Sequence, residues 1–280
     1  MRDSKRRIER VLLWLALTAF LTMCSAWIPD DPPLAYDWRT YFMEGRNIPS
    51  WYPPWTIWLT RVLTLPVLHG VTLSTFAMVA WYKKDSAISL ATSFLALPLI
   101  WTLFLGQLDG LSLLGVVGLP WLMPLVLLKP HVASFAIFAR RDCLLVALAF
   151  CTLTIAVWGL WPLDVLMCHV GDPPDRWPQN IALGLWGLPI FAAMVWKMPK
   201  DDPDWWMLAG AAISPQLIQY NLLPLMPAIA RLEWPWAVAA TLTSWLPLAA
   251  NWLGPWAWHL GWVSVLMIGL GLATKHRSQA

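Results

Sequence analysis

Residues 34–55 read LAYDWRTYFMEGRNIPSWYPPW, and their place between two apolar runs decides how the chain is read. The run before them, residues 8–27, has the length of about 20 residues that a helix needs to cross a bilayer. The stretch itself carries two acids, Asp37 and Glu44, two arginines, Arg39 and Arg46, and a set of aromatics. It closes on Tyr52-Pro53-Pro54, a rigid turn into the next apolar segment. A polar, aromatic piece between apolar runs is a loop just outside a membrane.

Further apolar runs of similar length recur through the 280 residues. The chain is 59% hydrophobic and 12% charged, where a soluble domain carries about a quarter charged residues. The short alternating segments of a β-barrel are missing. The expectation is an all-α polytopic transmembrane bundle, one integral-membrane domain over 1–280, with its first outer loop at 30–55. The net charge of +3 sits mainly at the ends of apolar runs, which reads as topology and not as a nucleic-acid surface. Residues 8–27 lack a clear cleavage site and read as an anchor. The 23 tryptophans read as interfacial side chains, with sugar stacking as the rarer use.

Charge bias orders the spans. The basic residues 2–7 place the N-terminus in the cytoplasm. Residues 55–64 fit an interfacial helix with Arg61 at headgroup level. Spans are expected near 66–82, 86–105, 111–139, 143–161 and 181–196, then two short segments around 205–231, then 235–252 and 256–273. That makes about ten crossings of the roughly 20-residue kind, with both termini cytoplasmic in an inner membrane. The fourth is interrupted by Pro120, Pro124 and Pro130, so 106–131 reads as a broken helical segment in which irregular backbone needs protein or a water-filled cavity around it. Three of the four cysteines lie inside apolar runs and read as small hydrophobes.

Several polar groups can carry chemistry. Asp37 fits a general base that draws a proton from an acceptor hydroxyl, or an N-cap for a helix starting near Trp38. Glu44 is the fallback carboxylate. Arg39 and Arg46 fit an anionic group such as a phosphate. Gln107 and Asp109 either face a cavity or form a plain polar turn. Lys129, beside His131 in an apolar stretch, needs a partner such as Asp109 or a lipid phosphate, unless it snorkels to an interface. The polar run Ser214 to Asn221, with Gln219 and Tyr220, suits a sugar, a headgroup or interhelical bonding. Asp202-Pro203-Asp204 reads as a solvated loop. The dispersed histidines offer no metal spacing.

The order of these pieces resembles the GT-C glycosyltransferases, in particular the bacterial polyprenol-phosphate-mannose-dependent α-mannosyltransferases. The resemblance rests on Asp37-Trp-Arg-Thr-Tyr41-Phe, Tyr52-Pro53-Pro54, Gly106-Gln107, Lys129-Pro130 and Ser214-Pro215 with Tyr220, over roughly residues 30 to 225. It implies an inverting transfer of a sugar from a polyprenyl-phosphate carrier to a glycolipid or glycan hydroxyl on the outer face. Asp37 matches the catalytic base. Arg39, Arg46, Lys129 and His131 are candidates for the leaving phosphate, and Tyr41, Tyr52, Gln107, Asp109, Gln219 and Tyr220 for substrate contacts. No cofactor is implied beyond the lipid-linked donor, and a divalent metal is left open. Departures from the family pattern are the short chain, the compressed link between Gln107 and Lys129, and Asp109 where an Asn is common. The alternative class is a non-catalytic membrane scaffold, or a lipid-binding subunit of a larger complex.

Overall fold

A computed structural model describes residues 2–28, 31, 33–43, 51–170 and 178–279, with backbone alone at 2–4, 169–170 and 278–279. Glu44, Arg46 and residues 171–177 lie outside the described residues. Within them the chain is helical, with no strand. In order it forms α1 (Arg2–Ser25), a π-helical turn (Trp38–Met43), α2 (Thr56–Val62), α3 (Leu65–Lys83), α4 (Ala87–Ser93), α5 (Leu97–Leu105) and α6 (Asp109–Val117). Then come α7 (Met123–Val126), a 3₁₀ segment (Ala133–Ala139), α8 (Arg141–Trp158), α9 (Trp161–Val170), α10 (Gly187–Lys197) and α11 (Pro203–Ile213). A long 3₁₀ rod (Gln219–Arg231), α12 (Trp234–Ser244), α13 (Ala250–Leu253) and α14 (Gly261–Gln279) follow, with short 3₁₀ segments at Gly184–Trp186, Leu246–Ala249 and Pro255–Leu260.

Among the described residues five segments are long and apolar enough to cross a membrane: Lys5–Ser25, Leu65–Lys83, Ala87–Leu105, Arg141–Trp158 and Pro255–Arg277. The other expected crossings are shorter or broken. Helices α10, α11 and α12 have 11 residues each, about 16 Å at 1.5 Å per residue, against a hydrocarbon core of about 30 Å.

Helix α1 lies along α3 through a ladder of polar contacts. Trp14 Nε1 donates to Thr75 Oγ1 at 3.1 Å, Thr18 Oγ1 meets Ser74 Oγ at 2.6 Å, and Ser25 Oγ meets His69 Nδ1 at 2.8 Å. The helices come this close because Gly70 has no side chain: a Cβ there would run into Thr22. Small residues one turn apart, Gly70 and Ser74, are the usual means of close helix approach in lipid. The outward face of α1 is apolar and exposed, as at Leu12, Leu15 and Phe20.

The rod is the centre of the molecule. Except for Tyr220 and Arg231 every residue in it is buried, and α3, α4, α5, α6, α11, α12 and α14 pack around it. Runs of 3₁₀ longer than about four residues are uncommon. Here Pro224 and Pro227 stand inside the rod and cannot donate the bonds of an α-helix. At about 2.0 Å per residue the 13-residue rod spans about 26 Å, further than the same residues would reach as α-helix.

One end of the bundle is held by charge. Lys83 Nζ lies 2.6 Å from Asp204 Oδ1, and Arg231 Nη1 lies 2.8 Å from both Asp202 and Asp204. Lys275 pairs with Asp85 at 2.6 Å and donates to the Arg231 carbonyl. Arg10 stacks over Tyr82, bringing the start of α1 to the same end. The expected solvated loop at Asp202-Pro203-Asp204 is therefore corrected. Asp202 caps α11, and Asp204 is buried between two cations. Of the cysteines inside apolar runs, Cys143 is buried and Cys151 half-buried, whereas Cys24 is exposed and does not pack as expected.

Candidate functional site

At the end of the bundle opposite the charge cluster, the turn that carries Asp37 folds back onto the end of α5. Ala35 adopts a left-handed conformation (φ 52°) and its N–H donates to the Phe104 carbonyl at 2.7 Å. Helix α5 ends at Gly106 with φ 71°. A Cβ at Gly106 would stand 2.6 Å from Trp38 Cβ, so glycine is required both for the turn and for the contact. These two fixings bring Asp37 and Gln107 face to face.

Gln107 is the link in a buried polar chain. Its Nε2 donates to Asp37 Oδ2, and its Oε1 accepts from Lys129 Nζ. Lys129 in turn lies 3.0 Å from Asp109 Oδ2, and Asn221 Nδ2 donates to Asp109 Oδ1 at 3.2 Å. The ammonium also faces the rings of Tyr220 (4.6 Å to the centroid) and Tyr52 (5.5 Å), as cation–π contacts do. Lys129 is 4% and Asp109 1% exposed. That settles two alternatives: Lys129 does not snorkel, and Asp109 opens helix α6 instead of forming an exposed turn.

The broken segment is what brings Lys129 back. Helix α6 has nine residues, and α7 folds against it where a Cβ on Gly115 would collide with the Val126 backbone. The chain leaves Asp109, reverses and returns to bring Lys129 beside it, a helical hairpin whose turn carries the exposed Val117 and Trp121. It then runs toward the charged end, where Phe138 packs on Trp206.

Asp37, Gln107 and Lys129 line a small cavity of about 40 Å³, with Tyr41, Tyr52, His131 and Tyr220. Of the residues expected at a site, these seven meet there, and Asp109 stands directly behind Lys129. Arg39 does not line the cavity. Its guanidinium donates to the Leu34 carbonyl. Gln219 does not line it either: its buried side chain packs on Gly261. Gln216 and Asn221, from the polar run expected to bond a sugar or a headgroup, line it too, as does Trp51, which was read as an interfacial side chain. The backbone between α11 and the rod is irregular, so no helical period reveals which polar residue of 214–221 turns inward.

Asp37 begins its helical turn with its carboxylate on Gln107, so the N-cap use is not what occupies it. Burial pushes its pKa up from the ordinary value, and the Asp109 charge adds to that, while the Gln107 bond and the Lys129 charge pull it down. A carboxylate raised in this way suits proton abstraction. The cavity thus sets a poised base beside a cation-and-amide cluster. Among the described residues no group of three or more His, Cys, Asp or Glu side chains comes together to hold a metal ion. No protein-family model, curated protein or solved structure matches the chain.

Proposed function

We propose that the chain is an integral-membrane glycosyltransferase of the GT-C kind, moving a sugar from a polyprenyl-phosphate carrier to a hydroxyl on the outer face. The observation that carries this reading is convergence. Asp37, Tyr52, Gln107, Lys129 and Tyr220 come from separate segments and meet around one cavity. In the proposed step the acceptor oxygen attacks the anomeric carbon and its proton passes to Asp37. The carbon–oxygen bond to the carrier phosphate breaks on the opposite face, so configuration inverts. The departing phosphate takes its charge toward Lys129, with His131 beside it. The cavity of about 40 Å³ has room for a water or two, so the turn that carries Asp37 must yield when a sugar enters.

The proposed topology has ten crossings with both termini cytoplasmic. Two observations support it. Basic residues from α1, α3, the rod and α14 gather at one end. Helix α11 and the rod, though short, run from that end to the cavity, since Asp204 and Arg231 stand at one limit and Gln216 and Asn221 at the other.

The test is a transfer assay. Purified protein in nanodiscs receives a panel of radiolabelled polyprenyl-phosphate sugars and a lipid extract, with Asp37→Asn in parallel. Label moves to a new product with the wild type and not with the variant. A second reading, a non-catalytic scaffold, is favoured by one observation: the buried groups from Asp37 to Asn221 satisfy one another, as a structural lock does. No transfer from any donor by folded protein would favour that reading, and transfer that survives Asp37→Asn at the wild-type rate would remove Asp37 from the role of base.

A further inference from the structure

A second, larger hollow of about 380 Å³ lies beside the cavity, between α1, α3 and the end of α5. Leu21, Leu34, Leu73 and Phe104 are among the side chains that line it. Its polar groups are few and engaged with each other: Ser25 with His69, whose Nε2 also meets the Leu103 carbonyl at 2.9 Å. Ile28 and Phe104 on its lining are exposed. Because α1 and α3 are both long and apolar enough to span a membrane, an opening between their ends lies within reach of lipid chains.

The hollow and the cavity are separated by one thickness of chain. Leu34 and Ala35 face the hollow, and Asp37, on the same turn, faces the cavity. At the end of α5 the same holds for Phe104 and, just past the Gly106 cap, Gln107. The Ala35–Phe104 hydrogen bond is the seam of this wall. Lys129, His131 and Tyr220 line the cavity and not the hollow. Asp37 and Gln107 therefore both stand against the wall of the hollow, and Lys129 lies beyond them.

We propose that this hollow seats one acyl chain of a membrane lipid, and that this lipid is the acceptor, its head hydroxyl delivered to Asp37. The assignment to the acceptor rests on the reading of Asp37 as base. A lipid held on the base side presents its hydroxyl to Asp37, while the departing phosphate belongs with Lys129 on the far side. A hydrocarbon chain matches the apolar lining, whereas a free glycan would leave that lining without a partner.

The test separates seating from transfer. A diacylglycerol lipid with a free head hydroxyl and a diazirine in one acyl chain is incorporated into nanodiscs with the full chain, and cross-links are mapped by mass spectrometry. Cross-links concentrate on residues 21–28 and 103–104 over the equally apolar outer face of α8. Leu21→Trp and Cys24→Trp, which fill the hollow without touching the cavity, reduce them to the α8 level. Asp37→Asn leaves them unchanged. Even labelling of all apolar faces, or labelling indifferent to both fillings, overturns the seating whatever the transfer assay shows. Where transfer is observed, the labelled product partitions into organic solvent and is lost with Leu21→Trp. A water-soluble product made at an undiminished rate by Leu21→Trp overturns the acceptor assignment and leaves the transferase reading standing. Seating without transfer from any donor overturns the assignment through the base, and with it the transferase reading, while the lipid site stands.

Discussion

Gln107 holds an acid with one end of its amide and a cation with the other, so it sets the distance between Asp37 and Lys129. Changing either neighbour shifts the charge balance of the whole cluster. Lys129→Met leaves Asp109 buried without its partner, and breaking a buried pair costs about 3–5 kcal/mol, read as a lower unfolding temperature in detergent. The same change removes a charge that lowers the Asp37 pKa. A base works deprotonated, so the rate rises with pH through the Asp37 pKa. With that value raised above its ordinary 3.8, the acidic limb of the pH–rate profile stands above the free-carboxylate range. A limb at or below that range would remove Asp37 from the role of base. Lys129→Met, if folded, moves the limb further up. At this scale much was legible in the sequence, because an acid, an amide and a lysine in an apolar chain each need a partner. What was hidden was the inward turn of Gln216 and Asn221, since irregular backbone has no period to read.

Two glycines govern how elements approach. Gly70→Leu forces α1 away from α3, with overpacking that costs about 1–3 kcal/mol, and opens the Trp14–Thr75 and Thr18–Ser74 contacts. Thermal unfolding reports the separation, and so does loss of the disulfide that Thr18→Cys and Ser74→Cys form on oxidation across the 2.6 Å contact. Gly106→Ala meets a left-handed backbone and the Trp38 side chain together, a strain of about 1–3 kcal/mol. Its specific signature is loss of transfer beyond what the stability change accounts for, because it moves Gln107. The long helices were legible from the length of apolar runs. The short segments around 205–231 were legible as apolar but not in kind, because a hydropathy window cannot tell an 11-residue α-helix from a 13-residue 3₁₀ rod, and the two differ in reach. The reversal of the chain within 106–131 was marked only by its prolines.

Across the molecule, charge gathers at one end and the cavity at the other. Burial pushes the Asp204 carboxyl up, but the Lys83 and Arg231 charges outweigh it and hold it below the ordinary 3.8. A lowered carboxylate contributes stability above its unfolded value and loses it as pH falls through the folded one. The clamp therefore stays closed near neutrality and opens only in acid below that range. Asp204→Asn lowers the unfolding temperature at pH 7, and the difference from wild type vanishes in that acid window. Sidedness is tested with single cysteines in a cysteine-free background. Tyr36→Cys reacts with an impermeant thiol reagent in intact cells, and Lys84→Cys reacts only after the membrane is opened. The opposite pattern reverses the proposed orientation. The central rod has a further consequence, for the order of assembly. Pro224 and Pro227 cannot donate to the carbonyls one 3₁₀ turn before them, and Ala230, Arg231 and Leu232 give their carbonyls to Asp85, Lys275 and Ser89 of other elements. Such a strand of backbone has no stable life among lipid tails. It enters the bilayer as cargo of its neighbours, and a nascent chain halted at Arg231, before α12 and α14 exist to close around it, is left with its core lying at the surface of the membrane.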